Sequence, residues 1–221
     1  MNSILLYDID GTLLNVNRKF MASLLEEVLD DSGLNPSTIY SINYAGRTDS
    51  AIFSELIGPE VNDELFDSVK KGYLYLLQDR LTQQHVEVIP DAVESLLYAE
   101  KEGLPAGLCT GNFREAAGIK LKAAGIDSKF EFGGFGCSHS DRNDLPALAH
   151  NEFVKINGRE PVPTDYIVIG DTPNDIRCAR HFGARAVAVT TGHFTYDELT
   201  THQPDAVMHS LLELQNFLQA I

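Results

Sequence analysis

The chain has 221 residues, 43% of them hydrophobic and 9% aromatic, and carries a formal net charge of −15 at pH 7. No stretch approaches the roughly 18 apolar residues of a membrane-spanning helix. The acidic excess argues against a nucleic-acid-binding role, because phosphate backbones are held by clustered Lys and Arg.

The first residues, MNSILLYDID, lack a basic leader region. They read as a first strand and not as a signal peptide, which makes the cytoplasm the expected location. SILLYD (3–8), LPAGLCT (104–110), DYIVIGD (165–171) and ARAVAVTTG (184–192) are short apolar runs bounded by turn residues, and each predicts a strand buried on both faces. Helical patterns alternate with them. DAVESLLYAEKEG (91–103) opens with Asp91 three residues before Glu94, in the manner of a capping box. FREAAGIKLKAAG (113–125), LPALAHNEFVKING (145–158) and PNDIRCARHFG (173–183) follow. Strand and helix in alternation imply an α/β fold around a parallel sheet with right-handed crossovers. Residues 15–86 break that rhythm, with helical patterns such as FMASLLEEVLDDSG and NDELFDSVKKGYLYLLQDRL and no convincing buried strand. They read as an all-helical insertion, so that 1–14 and 87–221 form the core and 15–86 a second unit. Cys109, Cys137 and Cys178 are odd in number and lack C-x-x-C spacing, which predicts neither a disulfide nor a zinc site.

In a doubly wound sheet, ligands bind beyond the carboxyl ends of the strands. There the sequence places Asp8 and Asp10, then Thr110, Gly111 and Asn112, then Asp171 and Asp175. Four carboxylates about 5 Å apart at an effective dielectric near 20 repel by roughly 3 kcal/mol per pair, or about 20 kcal/mol together. That rivals the roughly 5–15 kcal/mol stability of a whole domain, so the cluster needs a cation or protonated members. Mg²⁺ is the natural candidate, because it takes oxygen ligands and commonly joins a few carboxylates to a substrate phosphate.

DIDGTLL (8–14), LCTGN (108–112) and GDTPND (170–175), in that order, resemble the signature motifs of the haloacid dehalogenase superfamily. The helical segment after the first motif is similar to the C1 cap of its phosphoglycolate phosphatase-like branch. The resemblance implies a Rossmann-like core with a helical C1 cap and a Mg²⁺-dependent phosphohydrolase acting on a small phosphorylated metabolite, as a monomer or homodimer. Asp8 would be the nucleophile that forms an aspartyl-phosphate. Asp10 would protonate the leaving alkoxide and then deprotonate water. Thr110, Gly111 and Asn112 would bind the phosphoryl group, and Asp171 and Asp175 would hold Mg²⁺ with Asp8 and the Asp10 carbonyl.

One element departs from the family pattern. A lysine is usual ahead of the helix before the last acidic strand, and here the sequence reads SHSDRNDLPALA. Arg142 is the expected substitute, whereas Lys120 and Lys122 lie well along the preceding helix and are expected to reach the site less readily. AGRTDSAI (45–52) resembles the cap loop that meets substrate, with Arg47 to grip an anionic group and Asp49 to cap the helix. His139 beside Asp141 is expected to be structural or solvated. The alternatives are a phosphomutase of the same superfamily and a non-catalytic phospholigand-binding protein. A dehalogenase is disfavoured by Asp10, and a phosphonate hydrolase by Arg47 standing where a Schiff-base lysine is wanted.

Overall fold

The computed structural model describes residues 3–137 and 141–221; His139 lies outside the described residues. Its strands and helices in chain order are β1 (Ile4–Tyr7), β2 (Leu14–Val16), α1 (Arg18–Asp31), α2 (Asp49–Ile57), α3 (Asp63–Arg80), β3 (Val86–Val88), α4 (Ala92–Lys101), β4 (Ala106–Thr110) and α5 (Arg114–Ala124). Then come β5 (Gly133–Phe135), α6 (Leu145–Asn157), β6 (Tyr166–Gly170), α7 (Pro173–Phe182), β7 (Arg185–Val189), α8 (Tyr196–Thr200), β8 (Ala206–Met208) and α9 (Leu214–Ala220).

Six strands form one sheet in the order β5-β4-β1-β6-β7-β8, and every pairing is parallel. The two-residue alternation of a strand divides β1 between two cores. Leu5 and Tyr7 pack on one face with Leu96 of α4, Leu121 of α5 and Leu218 of α9. Ile4 and Leu6 pack on the other with Phe153 of α6 and Ile176 of α7. A continuous apolar run is what such double burial requires.

The segment expected to be helical carries α1, α2 and α3, entered through Asn17, whose side chain accepts hydrogen bonds from the Lys19 and Phe20 N–H groups. It has its own core, including Leu24, Val28, Phe53, Tyr73 and Leu77, and this core also takes in Phe113 and Ala116 at the start of α5. Two short strands flank it. β2 and β3 pair antiparallel, with Leu14 opposite Val88 and Val16 opposite Val86, so a short ribbon frames the helices. Three-residue strands are too brief for periodicity to detect, and the same applies to β5 and β8.

The capping box expected at Asp91 does not form. Asp91 adopts φ +69° and makes no cap hydrogen bond to α4; instead its carboxylate accepts the Ser210 hydroxyl at 2.6 Å. No described helix is long and apolar enough to cross a membrane.

Candidate active site

β1 is central, so the residue after it is flanked by the ends of β4 and β6. Asp8 donates its backbone N–H to the Ile169 carbonyl at 2.9 Å and thus continues the ladder for one residue beyond the strand. Gly11 turns the chain at φ +84°, and a side chain there would strike the Asp171 carboxylate. The Thr12 hydroxyl donates to Asp171 Oδ1 at 3.3 Å. Asp8, Asp171 and Asp175 are all buried, and each offers a carboxylate oxygen within 4.8 Å of the others. One Asp175 oxygen caps α7, accepting from the Thr172 N–H and hydroxyl at 3.0 and 2.7 Å. Its other oxygen faces the site.

Arg142 enters this acid group from the turn before α6. Its side chain is 5% exposed, and one terminal nitrogen lies 3.2 Å from Asp8 Oδ1 and 2.5 Å from Asp175 Oδ1. The same nitrogen donates to the Cys109 carbonyl at 3.3 Å. Arg142 Nε is buried and has no hydrogen-bond partner among the described residues.

A second cation was underestimated from sequence. Lys120, expected to lie too far along α5, places Nζ 2.9 and 2.8 Å from the two Asp10 oxygens and 2.6 Å from Asn112 Oδ1. Asn112 Nδ2 in turn donates to Asp10 at 2.7 Å and to the Thr110 hydroxyl at 2.8 Å. The signal was present: Ala116, Ala117, Lys120 and Leu121 are the buried residues of α5. That spacing is one helix face, so a lysine sits within an apolar stripe.

Electrostatics set the protonation of the acids. Burial pushes the Asp8 carboxyl up from 3.8 to about 6; Arg142 acts against the shift, and Asp175 and Asp10 add to it. Burial, with Asp175 and Asp8, holds Asp171 well above the ordinary carboxylate range. For Arg142, burial works towards loss of the proton, but the Asp175 and Asp8 carboxylates prevail and hold it firmly charged. Asp8, Asp10, Asp171 and Asp175, when ionised, carry four negative charges against the two positive charges of Arg142 and Lys120. The surplus matches one divalent cation, and an all-oxygen donor set suits a hard one. The acid cluster is therefore compatible with a divalent metal.

The insert reaches the site through residues 45–50. Asp49 donates its N–H to the Gly111 carbonyl at 2.7 Å, Ser50 donates to the Gly136 carbonyl at 3.2 Å, and Asn174 Nδ2 donates to the Ala45 and Gly46 carbonyls at 3.2 and 2.8 Å. Thr48, not Asp49, caps α2. The Asp49 carboxylate instead accepts the Phe113 N–H at 2.7 Å, ahead of α5. Burial pushes it up to about 6 against the pull of Lys120. Gly111 is packed so closely that a side chain would meet the Arg47 carbonyl. The Arg47 guanidinium does not join the acid group: it pairs with Glu55 at 2.6 Å and donates to the Asn43 and Ala51 carbonyls. Of the predicted site residues, then, Asp8, Arg142, Asp171 and Asp175 form one group and Asp10, Asn112 and Thr110 a second, held by Lys120; Gly111 lines the same cavity, and the Arg47 guanidinium pairs with Glu55 instead.

A parallel α/β sheet with this acid group at its carboxyl edge, and a helical insert after the first strand, is the architecture of one hydrolase class. The chain belongs to it: the model of the haloacid dehalogenase-like hydrolase family matches residues 5–189. Pyrophosphatase PpaX of Anoxybacillus flavithermus is 24% identical over 224 residues, covering 97% of this chain and 95% of that protein. Phosphoglycolate phosphatase of Neisseria meningitidis is 24% identical over 225 residues, covering 96% and 92%. In fold, the chain is similar to the crystal structure of a predicted phosphoglycolate phosphatase from Haemophilus somnus, with a TM-score of 0.74, 19% identity and 99% of both chains covered.

Proposed function

We propose that the protein is a Mg²⁺-dependent phosphohydrolase that releases phosphate from small phosphomonoesters through an aspartyl-phosphate on Asp8. The observation that carries this reading is the buried group of Asp8, Asp171 and Asp175, with Arg142 across it and the Lys120–Asp10 pair beside it. Relatives named as a pyrophosphatase and a phosphoglycolate phosphatase support phosphorylated substrates.

Asp8, Asp171 and Asp175, with the Asp10 carbonyl, would hold Mg²⁺, which when bound neutralises the surplus charge and screens the nucleophile from the phosphate. A carboxylate oxygen of Asp8 attacks phosphorus, and the ester oxygen leaves with a proton from Asp10. Asp10 then takes a proton from water, whose oxygen attacks the aspartyl-phosphate and returns Asp8 to its carboxylate. The Thr110 hydroxyl, the Gly111 and Asn112 N–H groups and Arg142 hold the phosphoryl oxygens where charge builds in the transition state. Residues 15–86 act as the cap over a core of 1–14 and 87–221, and residues 45–50 close it against bulk water. Arg47 contributes through its backbone, against Gly111, while its guanidinium stays with Glu55.

The test is release of p-nitrophenol from p-nitrophenyl phosphate by purified protein, with Mg²⁺ and then with excess chelator. Turnover that the chelator abolishes is the expected result. No turnover in either condition, with phosphate moving between positions of a phosphosugar, would transfer the reading to a phosphomutase.

A further inference from the structure

The acid group opens into a cavity of about 650 Å³ between core and insert. That volume is within the roughly 300–1,000 Å³ of pockets that enclose drug-sized ligands. The core contributes Asp8, Asp10, Thr110 and Arg142 to its lining; the insert contributes the apolar Met21, Leu25, Ile39, Ile42, Ile52 and Phe53 beside polar groups such as Tyr40, Asn43 and Tyr44. Leu25, Ile39, Ile52 and Phe53 belong to the insert's own core, so the wall is rigidly backed.

Of the four Lys and Arg residues that line the cavity, Arg142, Lys120 and Arg47 are paired with carboxylates of the chain. Arg142 is held by Asp8 and Asp175, and the three ammonium protons of Lys120 are matched by the two Asp10 oxygens and Asn112. Arg47 is held by Glu55. Arg18, on the exposed rim, bonds His193 Nδ1 at 3.2 Å. Among the described residues, no buried cation of the lining waits for a second anionic group. A small carboxylate or a second phosphate would leave the apolar wall wet, and the exposed Arg18 is the cation of the lining left to meet it.

Resting on the phosphohydrolase reading above, we infer that the preferred substrate is a phosphomonoester of an uncharged, mainly apolar alcohol, whose hydrocarbon body fills the wall lined by Met21, Ile42 and Phe53. The phosphoryl group then lies against the acid group, and the remainder of the molecule supplies binding energy through the area it removes from water.

The experiment is steady-state hydrolysis of ethyl, butyl, hexyl and octyl phosphate with Mg²⁺, beside phosphoglycolate, pyrophosphate and p-nitrophenyl phosphate. The alkyl esters share one leaving-group chemistry, so only the buried area changes. kcat/KM is expected to rise about two- to fourfold per methylene until the cavity is filled, and Met21→Glu is expected to flatten that slope. Turnover of p-nitrophenyl phosphate with a flat alkyl series, or with phosphoglycolate or pyrophosphate preferred over octyl phosphate, would overturn the substrate class and leave the phosphohydrolase reading standing. Absence of turnover for every ester would overturn both.

Discussion

Lys120 and Asp10 form a two-pronged cation–carboxylate pair: Nζ touches both carboxylate oxygens, at 2.9 and 2.8 Å, from two turns inside α5. The lysine side chain is 7% exposed and the aspartate 44%, so the pair joins a dry anchor to a carboxylate that can reach a ligand. Lys120 therefore positions Asp10. Lys120→Met is expected to lower kcat for an alkyl phosphate by about 100-fold, within the range of general acid–base contributions. The loss should be much smaller for p-nitrophenyl phosphate, because nitrophenolate departs without a proton. Equal losses for both esters would assign Lys120 a purely structural role.

Asp8→Asn removes the proposed nucleophile, and turnover should fall below detection. The same variant bears on stability. The folded protein holds the Asp8 proton up to about pH 6, against an ordinary value of 3.8, because burial penalises the anion. Above pH 6 the ionised group opposes folding by up to about 3 kcal/mol. In excess chelator at pH 7.5 the variant should therefore melt a few degrees higher than the parent chain, as expected for a chain of this length. A lower Tm would show that the Arg142–Asp8 contact outweighs the burial cost.

The pH dependence has the same sign. Asp8, Asp49 and Asp171 all have raised folded-state values, so the folded state binds more protons than the unfolded state between about pH 4 and 6. Stability then falls as pH rises through that window. Glu27 and Glu198 are shifted down, but both are exposed and act at lower pH. Thermal melts in chelator should give a higher Tm at pH 5 than at pH 7.5, and added Mg²⁺ should raise the pH 7.5 value most. A Tm that rises from pH 5 to 7.5 without metal would contradict the assignment.

Arg142 touches both Asp8 and Asp175 through one terminal nitrogen. Arg142→Met leaves two buried carboxylates without their partner, a loss on the order of 3–5 kcal/mol. Arg142→Lys keeps the charge and gives up the planar fork. Activity should be lost in the first variant and partly retained in the second, with the fold of each checked by circular dichroism. Equal activity in Lys and Met variants would remove Arg142 from phosphate binding.

Asn174 holds the insert's loop to the core with two hydrogen bonds to backbone carbonyls. At roughly 0.5–1.5 kcal/mol each, or about 1–3 kcal/mol together, their loss in Asn174→Ala should raise KM by about fivefold or more, with kcat within a factor of two. An unchanged KM would mean that the loop closes without this contact.

The sequence made the catalytic edge legible because three motifs end three strands, and β1, β4 and β6 prove to be neighbours in the sheet. The position of Arg142 ahead of α6 is what brings it against Asp8 and Asp175. Lys120 was passed over because distance along a helix was weighed above the face on which it lies. AGRTDSAI suggests an Arg47 that grips an anionic group, and nothing in it reveals that Glu55, two turns on, pairs with the guanidinium. Asp49 reads as a local cap, and only the packing of the insert on α5 shows that it serves Phe113. β2, β3, β5 and β8 owe their pairing to distant partners, which a three-residue window does not contain.

The ribbon of β2 and β3 makes the insert a single-entry compartment. Leu14 lies opposite Val88, and the Asn17 N–H meets the His85 carbonyl at 2.8 Å, so the chain departs from the sheet and rejoins it at adjacent points. Whatever lies between those points adds nothing to the distance the core must bridge. Helices there can be lengthened without shifting the register of β1 against β4 and β6, as long as Phe113 and Ala116 stay covered. The insert is thus tied to the sheet at one pair of adjacent points, and to the rest of the core through residues 45–50 and through the packing of Phe113 and Ala116.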